Sequence, residues 1–179
     1  MLWTRALTLI CLISLTMACT ANRTSESGIN SAAANSNAKP ASQSPAGIDP
    51  CTLLTEEDAA GALEASVKKV TPQGLSTADT CQYLREKGEN LAQKGESVTL
   101  QVHFGGGKLF DSYVKETEQS FDTRAQPIEG VGDKAVFNAG QFMVLKKNDF
   151  FVVTIGKNMP DAEKLAASRA LARKVFARL

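Results

Sequence analysis

Between Ser97 and Phe104 apolar and polar residues alternate without interruption. Val98, Leu100, Val102 and Phe104 fall on one side, Thr99, Gln101 and His103 on the other. A period of two is that of a strand with one face against a core. Thr80–Arg85 alternates in the same way and predicts a second strand. Residues 86–96 carry Lys87-Gly88-Glu89-Asn90 and Lys94-Gly95-Glu96, which predict an exposed hairpin loop. Lys134–Asn138 and Gln141–Lys147 are expected to pair around Asn138-Ala139-Gly140, and the turn Lys147-Asn148-Asp149 leads to Phe150–Ile155, the third strand of a meander. Ser66–Thr71 reads as a short strand ended by Pro72, and 72–79 as a loop.

Three stretches follow the helical period instead. In Lys108–Phe121, residues Leu109, Phe110, Tyr113, Val114 and Thr117 recur at three- and four-residue steps. Thr55-Glu56-Glu57-Asp58 is a helix start: Thr55 caps, and the acidic residues favour the positive helix end. Ala59, Ala62, Leu63 and Val67 follow on one side, with Gly61 weakening the run. Asp161–Arg178 opens after Pro160, gathers Arg169, Arg173, Lys174 and Arg178 toward its end, and carries an apolar stripe of Leu165, Ala172, Val175, Phe176 and Leu179. Asp49-Pro50-Cys51 reads as extended chain or turn, because proline biases the residue before it away from helix. Gly105-Gly106-Gly107 ends one strand, and Gly130-Val131-Gly132-Asp133 is a turn. The order is helix, strand pair, helix, meander, helix. It predicts one α+β domain over 49–179, an antiparallel β-sheet with helices packed on it.

The first 48 residues read differently. Arg5 precedes an uncharged run, Ala6 to Ala18, that reaches about 20 Å as a helix, short of the ~30 Å hydrocarbon core. Residues 1–18 are therefore expected to be a secretion signal rather than a membrane span. Leu15-Thr16-Met17-Ala18-Cys19 is similar to a bacterial lipobox, in which a small residue precedes a cysteine that is acylated and becomes the new N-terminus. Here Leu15 stands four places before the cysteine, and Met17 is bulkier than usual. The expectation is a lipidated Cys19. The other reading is an ordinary signal peptide cut nearby, which leaves a free thiol. Residues 19–48, rich in Ala, Ser and Asn without an aromatic residue, are expected to be a tether. Thr20 is not the aspartate that retains lipoproteins in an inner membrane, so a host with two membranes would send the chain to the outer one. Asn22-Arg23-Thr24 matches a glycosylation sequon, by chance in a bacterial setting.

Charge and chemistry narrow the function classes. Twenty basic against nineteen acidic residues give a net charge of +1, which argues against a nucleic-acid binder and against a polybasic membrane clamp. Four cysteines and one histidine exclude a His-rich metal site. Cys11 leaves with the leader and Cys19 takes lipid, so Cys51 and Cys81 remain for an exported domain and are expected to form a disulfide. A metal pair lacks further ligands nearby, and a redox couple is usually spaced Cys-x-x-Cys. Gly105–Lys108 invites a phosphate-loop reading that fails, because Val102 and Leu109 occupy the required Gly and Ser/Thr places. It leaves a weak anion site at the start of the helix. His103 alternates away from Val102 and Phe104 and is expected to be an exposed strand residue. There is no Gly-x-Ser-x-Gly and no paired histidine, and no carboxylate pair stands out.

Asp49-Pro50-Cys51-Thr52-Leu53-Leu54-Thr55, Asp58-Ala59, Cys81-Gln82-Tyr83 and Gly130-Val131-Gly132-Asp133-Lys134-Ala135, in this order behind a lipobox and tether, resemble the DUF3558-type bacterial lipoproteins. The strand Phe150–Ile155 and the closing Ala/Lys/Arg helix also fit, so the resemblance spans about 48–179. It implies a Mog1/PsbP-like sandwich and a function not known for the family, with no catalytic residues to carry over. The functional expectation is a non-catalytic, lipid-anchored, extracytoplasmic domain of the cell envelope without a cofactor. It would bind a protein or small molecule through its sheet face or the loops 72–79 and 86–96. The alternatives are an envelope hydrolase or transferase, and a carrier of a lipophilic ligand.

Overall fold

Seven strands build one antiparallel sheet: β1 (Val67–Val70), β2 (Thr80–Arg85), β3 (Ser97–His103), β4 (Gln126–Pro127), β5 (Lys134–Asn138), β6 (Gln141–Lys146) and β7 (Asp149–Ile155). Their order is β1-β2-β3-β7-β6-β5-β4. The computed structural model describes residues 48–73 and 79–179, and the expected leader, Cys19 and the expected tether up to residue 47 lie outside them. Five of the six connections join strands that are antiparallel neighbours, and only β3 to β4 crosses the sheet. In the β5–β6 turn Ala139 and Gly140 both have positive φ, the backbone sense that matches the twist of flanking strands. The pairing of β3 with β7, running from Val98↔Ile155 to His103↔Phe150, joins the first hairpin to the later meander.

Helices cover both faces. α1 (Pro50–Leu53), α2 (Glu56–Leu63) and α5 (Asp161–Phe176) share one face and enclose Leu53, Leu54, Leu63, Val98, Leu100, Phe142, Val153 and Val175. On the second face α4 (Phe110–Phe121) seats Phe110 over Val136, Met143, Phe150 and Val152. A short α3 (Leu91–Lys94) lies in the β2–β3 connection.

The α+β expectation of an antiparallel sheet with helices packed on it holds. Four local readings change and one strand was not read. Asp49 is extended as the proline requires, but Pro50 opens a helix, because fixed φ and a missing N–H suit the first helical position. The Asp49 carboxylate caps it by accepting from Cys51 N. Val67, placed by spacing with α2, is the first residue of β1, because the helix stops at Leu63 and Glu64 takes the left-handed conformation. The 86–96 loop contains α3, whose start is capped by the Asn90 side chain accepting from Gln93 N. The Lys108–Phe121 helix is split into a 3-10 turn, Gly107–Leu109, and α4, leaving Leu109 exposed instead of on the apolar stripe. The two-residue edge strand Gln126–Pro127 has no alternation from which to read it.

Candidate functional site

The disulfide is present. Cys51 and Cys81 are bonded, with Cα atoms 5.0 Å apart across a separation of 30 residues. α1 carries Cys51 to the start of β2, and Tyr83, two residues beyond Cys81 on the same face, donates its hydroxyl to Leu54 O at 3.2 Å. Burial, together with the carboxylates of Glu56, Asp49 and Asp58, pushes the Tyr83 phenol up.

A second tie joins α2 to α5. Asp58, 4% exposed, accepts from the Arg178 guanidinium and from Lys174 Nζ at 2.8 Å. It also completes a capping box with Thr55. Burial alone raises this carboxyl, but the Arg178, Lys174 and Thr55 donors outweigh it and hold Asp58 well below the usual carboxylate range. Asp133 is lowered by the Lys147 backbone N–H and the Lys146 ammonium, and so fixes the β6–β7 turn. Gly132 beside it has φ +63, and a Cβ there would collide with Leu145 O. Each of these shifted carboxylates is engaged in holding two elements together.

The second sheet face offers a different surface. Cross-strand register sets Val70, Gln82, Thr99, Thr154, Gln141 and Asn138 in one row across six strands. The adjacent row is Thr80, Gln101, Val152, Met143 and Val136. No carboxylate or cation stands in these two rows; the row on the other side, Lys68, Leu84 and Ser97, carries one exposed cation, Lys68, on the edge strand β1. α4 covers the apolar end, and its Thr117, with Thr123 beyond it, engages Asn138. It reaches β3 at Gln101, which accepts from Tyr113 Oη at 3.3 Å. Burial and the Glu116 carboxylate raise the Tyr113 phenol. Gln82, Thr99, Gln101, Gln141 and Thr154 remain partly exposed. Two polar atoms of the face are shielded and have no hydrogen-bond partner, Thr80 Oγ1 and Gln141 Oε1.

His103 lies on this face as its alternation places it, but it is not the exposed residue expected. Its ring stacks on Phe150 at 4.1 Å between centroids and meets Tyr113 at 5.5 Å. The strand alternation assumed one solvated face, and α4 removes part of that solvent. Gly107 at the supposed anion loop packs against the β6–β7 turn, its N–H donating to Asn148 O at 2.7 Å. A side chain there would meet the Asn148 backbone at 2.9 Å.

Two hollows open on the first face. One, about 430 Å³, is walled by Val102, Phe150, Phe151 and Phe176 with Lys146 and Lys147 near its mouth. The other, about 660 Å³, runs between α2 and α5 over Gly61, Ala62, Ala166 and Ala170. Among the described residues no three His, Cys, Asp or Glu side chains gather to hold a metal ion, and no helix is long and apolar enough to cross a membrane.

Comparison with family models, curated proteins and solved structures finds no match to this chain. Of the sequence-predicted residues, Cys51 and Cys81 come together; the 86–96 connection stays at the surface; residues 74–78 of the other loop lie outside the described residues. The polar row was half visible, because alternation put Thr99 and Gln101 on one side of β3. Its continuation through Thr154 and Gln141 depends on the β3–β7 pairing, which no local pattern encodes.

Proposed function

We propose that this chain is an exported, lipid-anchored, extracytoplasmic binding domain of a bacterial cell envelope, held to its membrane through acylated Cys19 and without catalytic activity of its own. The observation that carries the reading is the Cys51–Cys81 bond, because disulfides persist in oxidising compartments and are rare in the cytosol. The uncharged run before Cys19 and the Ala/Ser/Asn-rich stretch behind it support the same assignment. So does the ordered set of motifs shared with the DUF3558-type lipoproteins. The non-catalytic reading rests on Asp58 and Asp133, whose lowered carboxyls are occupied by structural partners. The polar second face is the proposed binding surface.

Mass spectrometry of the N-terminus after membrane fractionation tests it. The expected species begins at Cys19 and carries acyl chains, and Cys19→Ala moves the protein out of the membrane fraction. An unmodified N-terminus elsewhere, or a cytosolic chain with reduced thiols, overturns the reading.

A second reading has one observation in its favour. The 430 Å³ hollow beside Phe151 and Phe176 has apolar walls, as carriage of a small lipophilic ligand requires.

A further inference from the structure

We infer that the second sheet face binds a neutral, polyhydroxylated ligand, a short uncharged glycan, along the row Gln82–Thr99–Thr154–Gln141. The inference rests on the envelope-binding reading above and deepens it by naming the ligand class.

Three features of the face carry it. The first is chemistry without charge. The exposed part of the row offers two carboxamides and two hydroxyls, backed by Gln101 and Thr80 in the next row, with no ionised side chain among them. Carboxamides and hydroxyls both donate and accept, and so do the hydroxyls of a sugar. A charged ligand would find no counter-ion in these rows, and an apolar one would strand their polar groups without partners.

The second is unsatisfied capacity. Thr80, 4% exposed, has an Oγ1 without a hydrogen-bond partner, and so does Gln141 at Oε1. Shielded polar atoms of this kind destabilise the fold when left unpaired, and a ligand that pairs them recovers that loss. A rotation of Gln141, whose residue is partly exposed, brings its carboxamide to the surface, where a hydroxyl satisfies it. Thr80 is paired across the ladder with Gln101, so both stand at the same margin of the face.

The third is shape. From β2 to β6 the row crosses three strand spacings, about 14 Å at ~4.8 Å each, longer than one sugar ring. Backbone N–H and C=O groups of these inner strands are used in the sheet, which removes strand addition by a peptide as a binding mode here. Tyr113 reaches the next row, where its hydroxyl donates to Gln101 at 3.3 Å and adds a further polar group beside the proposed site.

The test is titration of the ¹⁵N-labelled chain, as its cells produce it, with neutral hexasaccharides (α- and β-linked glucans, a mannan and a chitin fragment). An Ala/Gly hexapeptide and an acidic hexasaccharide serve as comparison probes. A neutral sugar is expected to shift the amide signals of Gln82, Thr99, Thr154 and Gln141. Thr99→Lys is expected to weaken that sugar about tenfold or more, because it places a strongly hydrated charge in the row. Gln141→Glu, at a strand end, is the second variant should Thr99→Lys disturb the fold, and thermal melting reports which does. The inference is overturned if no neutral sugar shifts these residues, if the peptide or the acidic sugar shifts them instead, or if the shifts fall at Phe176 and Leu179. Failure here leaves an acylated Cys19 in place, and a cytosolic location overturns the envelope reading even where a sugar binds.

Discussion

Arg178 holds the carboxylate of Asp58, 120 residues earlier in the chain, and donates from the same nitrogen to Leu53 O at 2.9 Å. The last turn of the protein thus closes on the carbonyl end of α1 and the first turn of α2. Asp58→Ala is expected to destabilise the fold by about 2–3 kcal/mol. The lost cap contributes about 1 kcal/mol and the two ion pairs the rest, less than a fully buried pair because Lys174 and Arg178 retain access to water. Urea denaturation of the variant beside the parent checks this.

The same carboxylate sets a direction with pH. Its folded-state pKa is depressed below the ordinary aspartate value of about 3.9. The unfolded chain therefore takes up the proton first, and this contribution to stability is complete above about pH 5 and lost as pH falls toward the folded value. The urea midpoint is expected to decline from about pH 4 downward. Asp58→Asn is expected to flatten part of that decline. The exposed Asp133, lowered in the same direction, retains some of it.

Removal of the disulfide by Cys51→Ser with Cys81→Ser is expected to cost about 3–4 kcal/mol, from the entropy of a loop of 30 residues. Chemical reduction of the parent under non-denaturing conditions is expected to lower the melting temperature in the same sense. A double variant as stable as the parent would remove the structural role assigned to the bond.

Gly132→Ala is expected to destabilise by about 2 kcal/mol or more. It combines a left-handed backbone conformation that disfavours a side chain with a Cβ driven into Leu145 O. Gly130→Ala shares the positive φ but meets open space, so its cost is expected to be smaller, about 1 kcal/mol. Melting of the two variants side by side separates the strain from the collision.

Local periodicity made β3 and α4 legible, because the apolar side repeats at the period of the element, whereas the meander was legible from apolar runs between turns, its strands being buried at consecutive positions. The Thr55 cap was legible for a similar reason, standing directly before the acidic residues of the helix start, whereas the reciprocal bond with Asp58 that makes it a capping box was not read. Pro50 misled because one residue constrains its neighbour and itself in opposite directions. His103 misled because alternation reports which side a residue faces and not what covers that side. The disulfide could be reached by counting, since the expected removal of Cys11 and acylation of Cys19 would leave two thiols of the four. The polar row and the Arg178–Asp58 tie depend on which distant segments become neighbours, and that is decided by the whole chain.

The Cys51–Cys81 bond also fixes how the protein bears a pull. Tension arriving along the chain before Ile48 crosses three residues to Cys51 and passes through sulfur into β2, an inner strand paired on both sides. Residues 52–80, including α2 and the edge strand β1, sit outside that load path. Strain applied at this end therefore passes through the first two residues of α1 and the disulfide into β2 before it reaches α2.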